Sequence, residues 1–130
     1  MYLPITLTFA ASATLINVWL TWRVGQMRGA HNVSHGDGGA APLMRRMRAQ
    51  ANYIEWTPLV LILSGLVELA DGPVPLLAIL AATYLAARIM HALGMDSETM
   101  TKARTGGMWV TFLTLIGLAI YAAMIAGGVA

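Results

Sequence analysis

Apolar residues fall into four long runs separated by polar stretches. The runs cover about residues 3–22, 53–70, 74–93 and 108–129. Each is about 18–22 residues long, close to the roughly 20 that cross a hydrocarbon core of about 30 Å as a helix. Only helices or closed barrels span lipid, because every backbone polar group must be satisfied internally. Unbroken runs of this length lack the alternation of a membrane barrel, whose strands are roughly ten residues long. The pattern therefore predicts helices. The connections differ in kind. Residues 29–42 (GAHNVSHGDGGAAP) are rich in Gly and small polar groups and read as a loop. Residues 43–52 (LMRRMRAQAN) are good helix formers and read as an extension of the second helix beyond the membrane. The Ala70–Pro75 connection is short enough to force an antiparallel hairpin, whereas residues 94–105 form a longer polar link. The expected fold is all-α: one membrane domain over residues 1–130, a four-helix bundle of up-down topology.

Composition agrees with this pattern. Hydrophobic residues make up 58% of the chain and charged residues 11%, against about 25% charged in soluble domains. A soluble protein of this size has no interior large enough for so much apolar surface, so a lipid-facing exterior is expected. There are no cysteines, which excludes disulfides, zinc ribbons and a cysteine nucleophile. The N-terminus lacks a basic region and cleavage site, so the first run is read as a permanent helix. The net charge of +2 gives no reason to expect a nucleic-acid partner. Distribution says more than the sum. Arg23, Arg28, Arg45, Arg46 and Arg48 cluster around the first connection, and Arg88, Lys102 and Arg104 around the third. The positive-inside rule places both in the cytoplasm, with the termini and the Asp71 turn outside.

Polar groups in or beside a span are costly and invite a functional reading. Arg48, Asn52 and Glu55 fall within about 60° of one another around a helix, so a cation, an amide and an anion share one stripe. The bland alternative is a polar seam in which Glu55 pairs with a neighbouring arginine. The sharper one is a pocket for a small zwitterion. In the third run Tyr84, Arg88, His91 and Met95 also share a face. The structural role open to Arg88 is a salt bridge to Glu55, and that open to His91 is a hydrogen-bonded packing position. Arg104 and Thr105 precede the fourth run, where helix N-terminal amides attract anions.

The segment Arg48-Ala49-Gln50-Ala51-Asn52-Tyr53-Ile54-Glu55-Trp56-Thr57-Pro58 resembles the second-helix motif of the membrane-associated proteins in eicosanoid and glutathione metabolism, the MAPEG family. It is especially similar to leukotriene C synthase and the microsomal glutathione transferases. Arg88-Ile89-Met90-His91 with Gly94 resembles the family's third-helix segment. His91 matches a histidine of microsomal prostaglandin E synthase, and Arg104-Thr105 sits at the spacing of that enzyme's Arg-Ser pair. The resemblance covers nearly the whole chain. It implies a homotrimer that binds glutathione between adjacent subunits near the cytoplasmic boundary. Arg48, Asn52 and Glu55 would contact the peptide, with Gln50 nearby and Arg88 and His91 lining the site. Arg104 would stabilise the thiolate, with Thr105 as its hydroxyl neighbour. The first-helix arginine is assigned to Arg28, with Arg23 the alternative. Two positions depart from the family: Met95 replaces a tyrosine, and Ala51 a second basic residue of the prostaglandin enzyme. The chemistry suits the ligand, since arginines match the two carboxylates of glutathione and Glu55 its ammonium. A nearby guanidinium favours the reactive thiolate.

The expected activity is therefore a glutathione transferase or peroxidase acting on lipophilic electrophiles that arrive through the bilayer. A small four-span transporter and a non-catalytic membrane scaffold are the competing classes. A transporter needs a charge near the midplane accessible from both sides, whereas this cluster sits at one boundary. The Met95 departure is what a scaffold would tolerate. No metal is expected: His31, His35 and Asp37 lie in a loop without a fourth ligand. Gly36-Asp37-Gly38-Gly39 follows no strand and is no phosphate loop. Glu68 is read as a cap or a snorkelling group, and the methionines as packing residues. A bacterial inner membrane is the expected location.

Overall fold

The computed structural model describes residues 2–129 and contains four helices: α1 (Pro4–His31), α2 (Ala41–Leu69), α3 (Val74–Gly94) and α4 (Lys102–Ala126). Each of α1, α2 and α3 carries a proline in its first two positions, where the missing N–H costs no intrahelical bond and φ is preset. Helix α4 instead starts at a side-chain cap: Thr101 Oγ1 accepts from the Arg104 amide at 3.1 Å. Helices α1 and α4 extend past the apolar runs at the end that carries the arginines. α1 continues beyond Trp22 to His31, and α4 begins at Lys102 rather than near Met108. The first connection therefore shrinks to residues 32–40, closed by Asn32 in the left-handed conformation (φ 53°).

Helices α2 and α3 form the centre. Each packs on the other and on both α1 and α4, while α1 and α4 do not pack together. The core contains Phe9, Val60, Val67, Tyr84 and Leu118, with Phe9 and Tyr84 edge to face at 5.8 Å. Outward positions are apolar as well. Leu15, Val18, Leu59, Ile62, Leu66, Ile79, Leu113 and Ile120 are exposed along the helix shafts, the surface of a protein solvated by lipid tails. Three helices, α1, α3 and α4, are long and apolar enough to cross a membrane. α2, which carries Arg45, Arg46 and Arg48 in its first half and Asn52, Glu55 and Glu68 further along, is not among them. Pro58 interrupts the α2 hydrogen-bond ladder without ending the helix.

All eight basic residues gather at the end of the bundle formed by the α1–α2 and α3–α4 connections, here called the basic end. At the opposite end Glu68, the last acid of α2, accepts the Ile5 and Thr6 amides at 3.0 and 2.7 Å. It thus caps α1, which has no side-chain cap of its own.

Candidate functional site

A cleft of about 280 Å³ opens at the basic end between α2, α3 and α4. Arg48 and Asn52 line it from α2, His91 from α3, Met95 and Met100 from the α3–α4 link, and Arg104 and Met108 from α4. Two smaller grooves beside α1, of about 250 Å³ at Asn17 and about 230 Å³ at Phe9, are lined by uncharged residues, most of them apolar or small.

Arg88 stands behind this cleft. It is 1% exposed and donates from Nη2 to Asn52 Oδ1 at 2.6 Å and from Nη1 to Thr111 Oγ1 at 3.1 Å. Thr111 passes its own proton to the Gly107 carbonyl at 2.8 Å. The partner offered by charge alone, Glu55, is not the one used. Glu55 is exposed on α2, at the margin of the same face, and makes no hydrogen bond or ion pair among the described residues. The physical reason is helix rotation: α2 turns Asn52 toward α3 and leaves Glu55 outside. Arg88 is therefore a support for Asn52 rather than part of the cleft wall. A guanidinium has only donors, so it must take the amide oxygen, and the Asn52 NH₂ is left to donate. Two buried nitrogens, His91 Nδ1 and Arg88 Nε, have no hydrogen-bond partner among the described residues, an arrangement rare in packed interiors, and His91 lines the cleft.

The close packing of α4 on α3 sets the position of Arg104. A Cβ on Gly107 would lie 2.6 Å from both the Ala87 carbonyl and His91 Cβ, and a Cβ on Gly94 would lie 2.5 Å from the Arg104 nitrogen. Only glycine at both places lets the first turns of α4 lie against the end of α3.

Of the residues singled out in the sequence, Arg48, Asn52, His91 and Arg104 meet in one cleft. Glu55 lies on the same side of α2, outside the lining. Gln50 faces the other way and donates to Thr21 Oγ1 of α1 at 2.6 Å. Arg28 reaches the first connection, donating to the Gly36 carbonyl at 2.8 Å. Arg23, its alternative, is buried and occupied by Asp96, the Ala92 carbonyl and the Trp19 ring. Thr105 is exposed at the start of α4, and Met95 is buried at the cleft. The sequence reading missed Met100, Met108 and Thr111. The last two carried a usable signal, since they follow Arg104 by four and seven positions and share its helical face.

Four helices, a lipid-facing surface and a polar cleft at one end define a small multi-pass membrane protein, and the chain belongs to the MAPEG family, whose profile matches residues 6–124. It is similar to the inner membrane protein YecN of Escherichia coli K12. The two are 26% identical over 108 residues, which is 83% of this chain and 82% of that protein. YecN of the O6:H1 strain matches to the same extent.

Proposed function

We propose that this protein is a glutathione-dependent transferase or peroxidase of a bacterial inner membrane, working as a homotrimer with its cleft toward the cytoplasm. The observation that carries the reading is the meeting of Arg48, Asn52, His91 and Arg104 in one cleft at the basic end. Glutathione brings two carboxylates, an ammonium and a thiol. Arg48 and the free Asn52 NH₂ suit a carboxylate, and Glu55, on the same face of α2, suits the ammonium. Arg104 on the opposite wall supplies the positive charge that stabilises a thiolate. The thiolate attacks an electrophilic carbon; a C–S bond forms, and the leaving group departs with the bond's electron pair. With a peroxide, attack on oxygen breaks the O–O bond and releases an alcohol after protonation. A second glutathione then converts the sulfenic acid to disulfide and water. The apolar partner reaches the thiolate from the bilayer.

The trimer reading rests on the two-sided character of α2. Arg48, Asn52 and Glu55 face one side, while Gln50 and the nearby Arg28 face the other. A neighbouring copy brings the second set to the first. α2 is inferred to cross the membrane with the other three, because it is the central helix of the bundle. The location follows the positive-inside rule and the inner membrane relative.

The deciding experiment is a titration of the purified protein with glutathione in mild detergent, following the thiolate absorbance band, with the particle mass measured in parallel. A saturable thiolate signal at neutral pH from particles of three chains supports the reading. Absence of any signal, with conjugation of a model electrophile no faster than without protein, overturns it. A monomer that still binds glutathione overturns the shared site.

A further inference from the structure

One carboxylate outside the cleft joins three segments of the basic end. Asp96 lies in the α3–α4 link, directly after Met95. Its Oδ2 pairs with Arg23 Nη2 of α1, and its Oδ1 lies 3.5 Å from Arg46 Nε of α2. The two arginines are tied to each other as well, since Arg46 Nη1 donates to the Arg23 carbonyl at 3.0 Å. Arg23 also donates from Nη1 to the Ala92 carbonyl near the end of α3 at 3.3 Å, and its guanidinium lies 4.8 Å from the Trp19 ring centre. The neighbouring pair, Arg45 and Glu98, is long at 3.9 Å with an exposed acid, and contributes little.

This joint differs from an ordinary surface ion pair because Arg23 is 6% exposed. A buried guanidinium deprived of its carboxylate is destabilised. Without the charge of Asp96, the Arg23 and Arg46 cations also repel across the space it occupied. Loss of this carboxylate therefore removes the charge that ties the link to α1 and α2.

The link's position bears on chemistry through a short chain of contacts. Met95 and Met100, at its two ends, wall the cleft. Thr101 donates to the Gly94 carbonyl at 3.3 Å and accepts from the Arg104 amide at 3.1 Å. The first turn of α4 therefore has its place set by the segment that Asp96 holds. We propose that Asp96 is a positioning residue: by pairing with Arg23 and Arg46 it holds the α3–α4 link so that Arg104 meets the thiol in the cleft. This rests on the reading of Arg104 as the group that stabilises the thiolate. Asp96 itself does not line the cleft.

The test compares wild-type protein, Asp96→Asn and Arg46→Gln in detergent. For each, glutathione affinity, the pH profile of the bound thiolate, turnover with a model electrophile, and hydrogen exchange over residues 95–105 are measured. In Asp96→Asn exchange over the link should rise and the thiolate profile should move to higher pH. Turnover should fall on the order of tenfold or more, because small misplacements of a reacting group are costly. Glutathione affinity, set on the α2 wall, should change much less. Arg46→Gln, which strands no buried charge, should move the same readouts in the same direction by less, and it carries the test if Asp96→Asn does not fold. A folded variant whose thiolate profile matches wild type overturns the proposal, whether its turnover is intact or falls in step with stability. Failure of the wild-type protein to form thiolate overturns the glutathione reading itself, and is seen before any variant is made.

Discussion

Arg88 Nη2 donates to Asn52 Oδ1 at 2.6 Å, and this bond decides which end of the amide faces the cleft. Asn52→Asp keeps an acceptor for Arg88 but removes the NH₂ that faces a ligand. Its thermal stability should stay near wild type while the glutathione concentration for half saturation rises about tenfold or more, as expected for loss of a charge-assisted hydrogen bond. Asn52→Leu removes both. It should add a stability loss of about 1.5–3 kcal/mol, the range for hydrogen bonds to charged groups. Thermal unfolding and binding titrations on the same preparations separate the two effects. Equal stability of the Asp and Leu variants would show that Arg88 does not depend on this partner.

The two adjacent glycines of α4 should behave in opposite ways. Gly107→Ala places a methyl 2.6 Å from the Ala87 carbonyl and His91 Cβ. It should cost about 1–3 kcal/mol, as overpacking does, and lower turnover by moving Arg104. Gly106→Ala meets nothing within 4 Å and should be neutral or stabilising by about 0.4–1 kcal/mol. Melting curves of the two variants side by side check the close approach of α4 to α3.

Arg104 and Arg48 face the same cleft and should fail differently. Arg48 meets a charge that glutathione carries before and after reaction, so Arg48→Ala should mainly raise the concentration needed for saturation. Arg104 acts on charge gathered at sulfur for the chemical step. Arg104→Ala should therefore raise the bound thiol's pKa and lower turnover, with affinity falling less. Wild-type thiolate formation in Arg104→Ala would move the role to Arg28.

The chain has no cysteine, so single cysteines report topology cleanly. Ser34 and Ser97 lie in the two connections of the basic end. Cysteine at either should react with an impermeant maleimide from the cytoplasmic side alone. Labelling from the opposite side would invert the bundle.

The sequence showed four helices, the gathering of charge at one end, and the α2 stripe, because each depends on spacing along a single helix. It did not show which member of that stripe turns inward. Arg48, Asn52 and Glu55 lie within about 60° of one another, and charge complementarity favoured Glu55 as the partner of Arg88. The rotation of α2 is set by packing on three neighbours, and it gives that place to Asn52. The Asp96 joint was hidden for a related reason. Its three members are contributed by α1, α2 and a link with no periodicity, so no local pattern announces it. The structure also makes Glu68 a cap, one of the two roles open to it, but for α1 rather than for its own turn.

That cap has a consequence for how the chain is made. The acceptor that satisfies the first amides of α1 lies 63 residues further along the chain from Ile5, at the close of α2. While α1 alone is in the membrane, its leading amides must stay at the water boundary, because donors left bare in hydrocarbon are costly. Arrival of Glu68 in the membrane lets them settle, and this happens only when the full length of α2 lies alongside. Helices α1 and α2 therefore become a finished unit together, once Glu68 has left the ribosome. A nascent chain tethered with Glu68 still inside the ribosome should leave α1 mobile and open to proteases at its outer end, and one long enough to release Glu68 into the membrane should not.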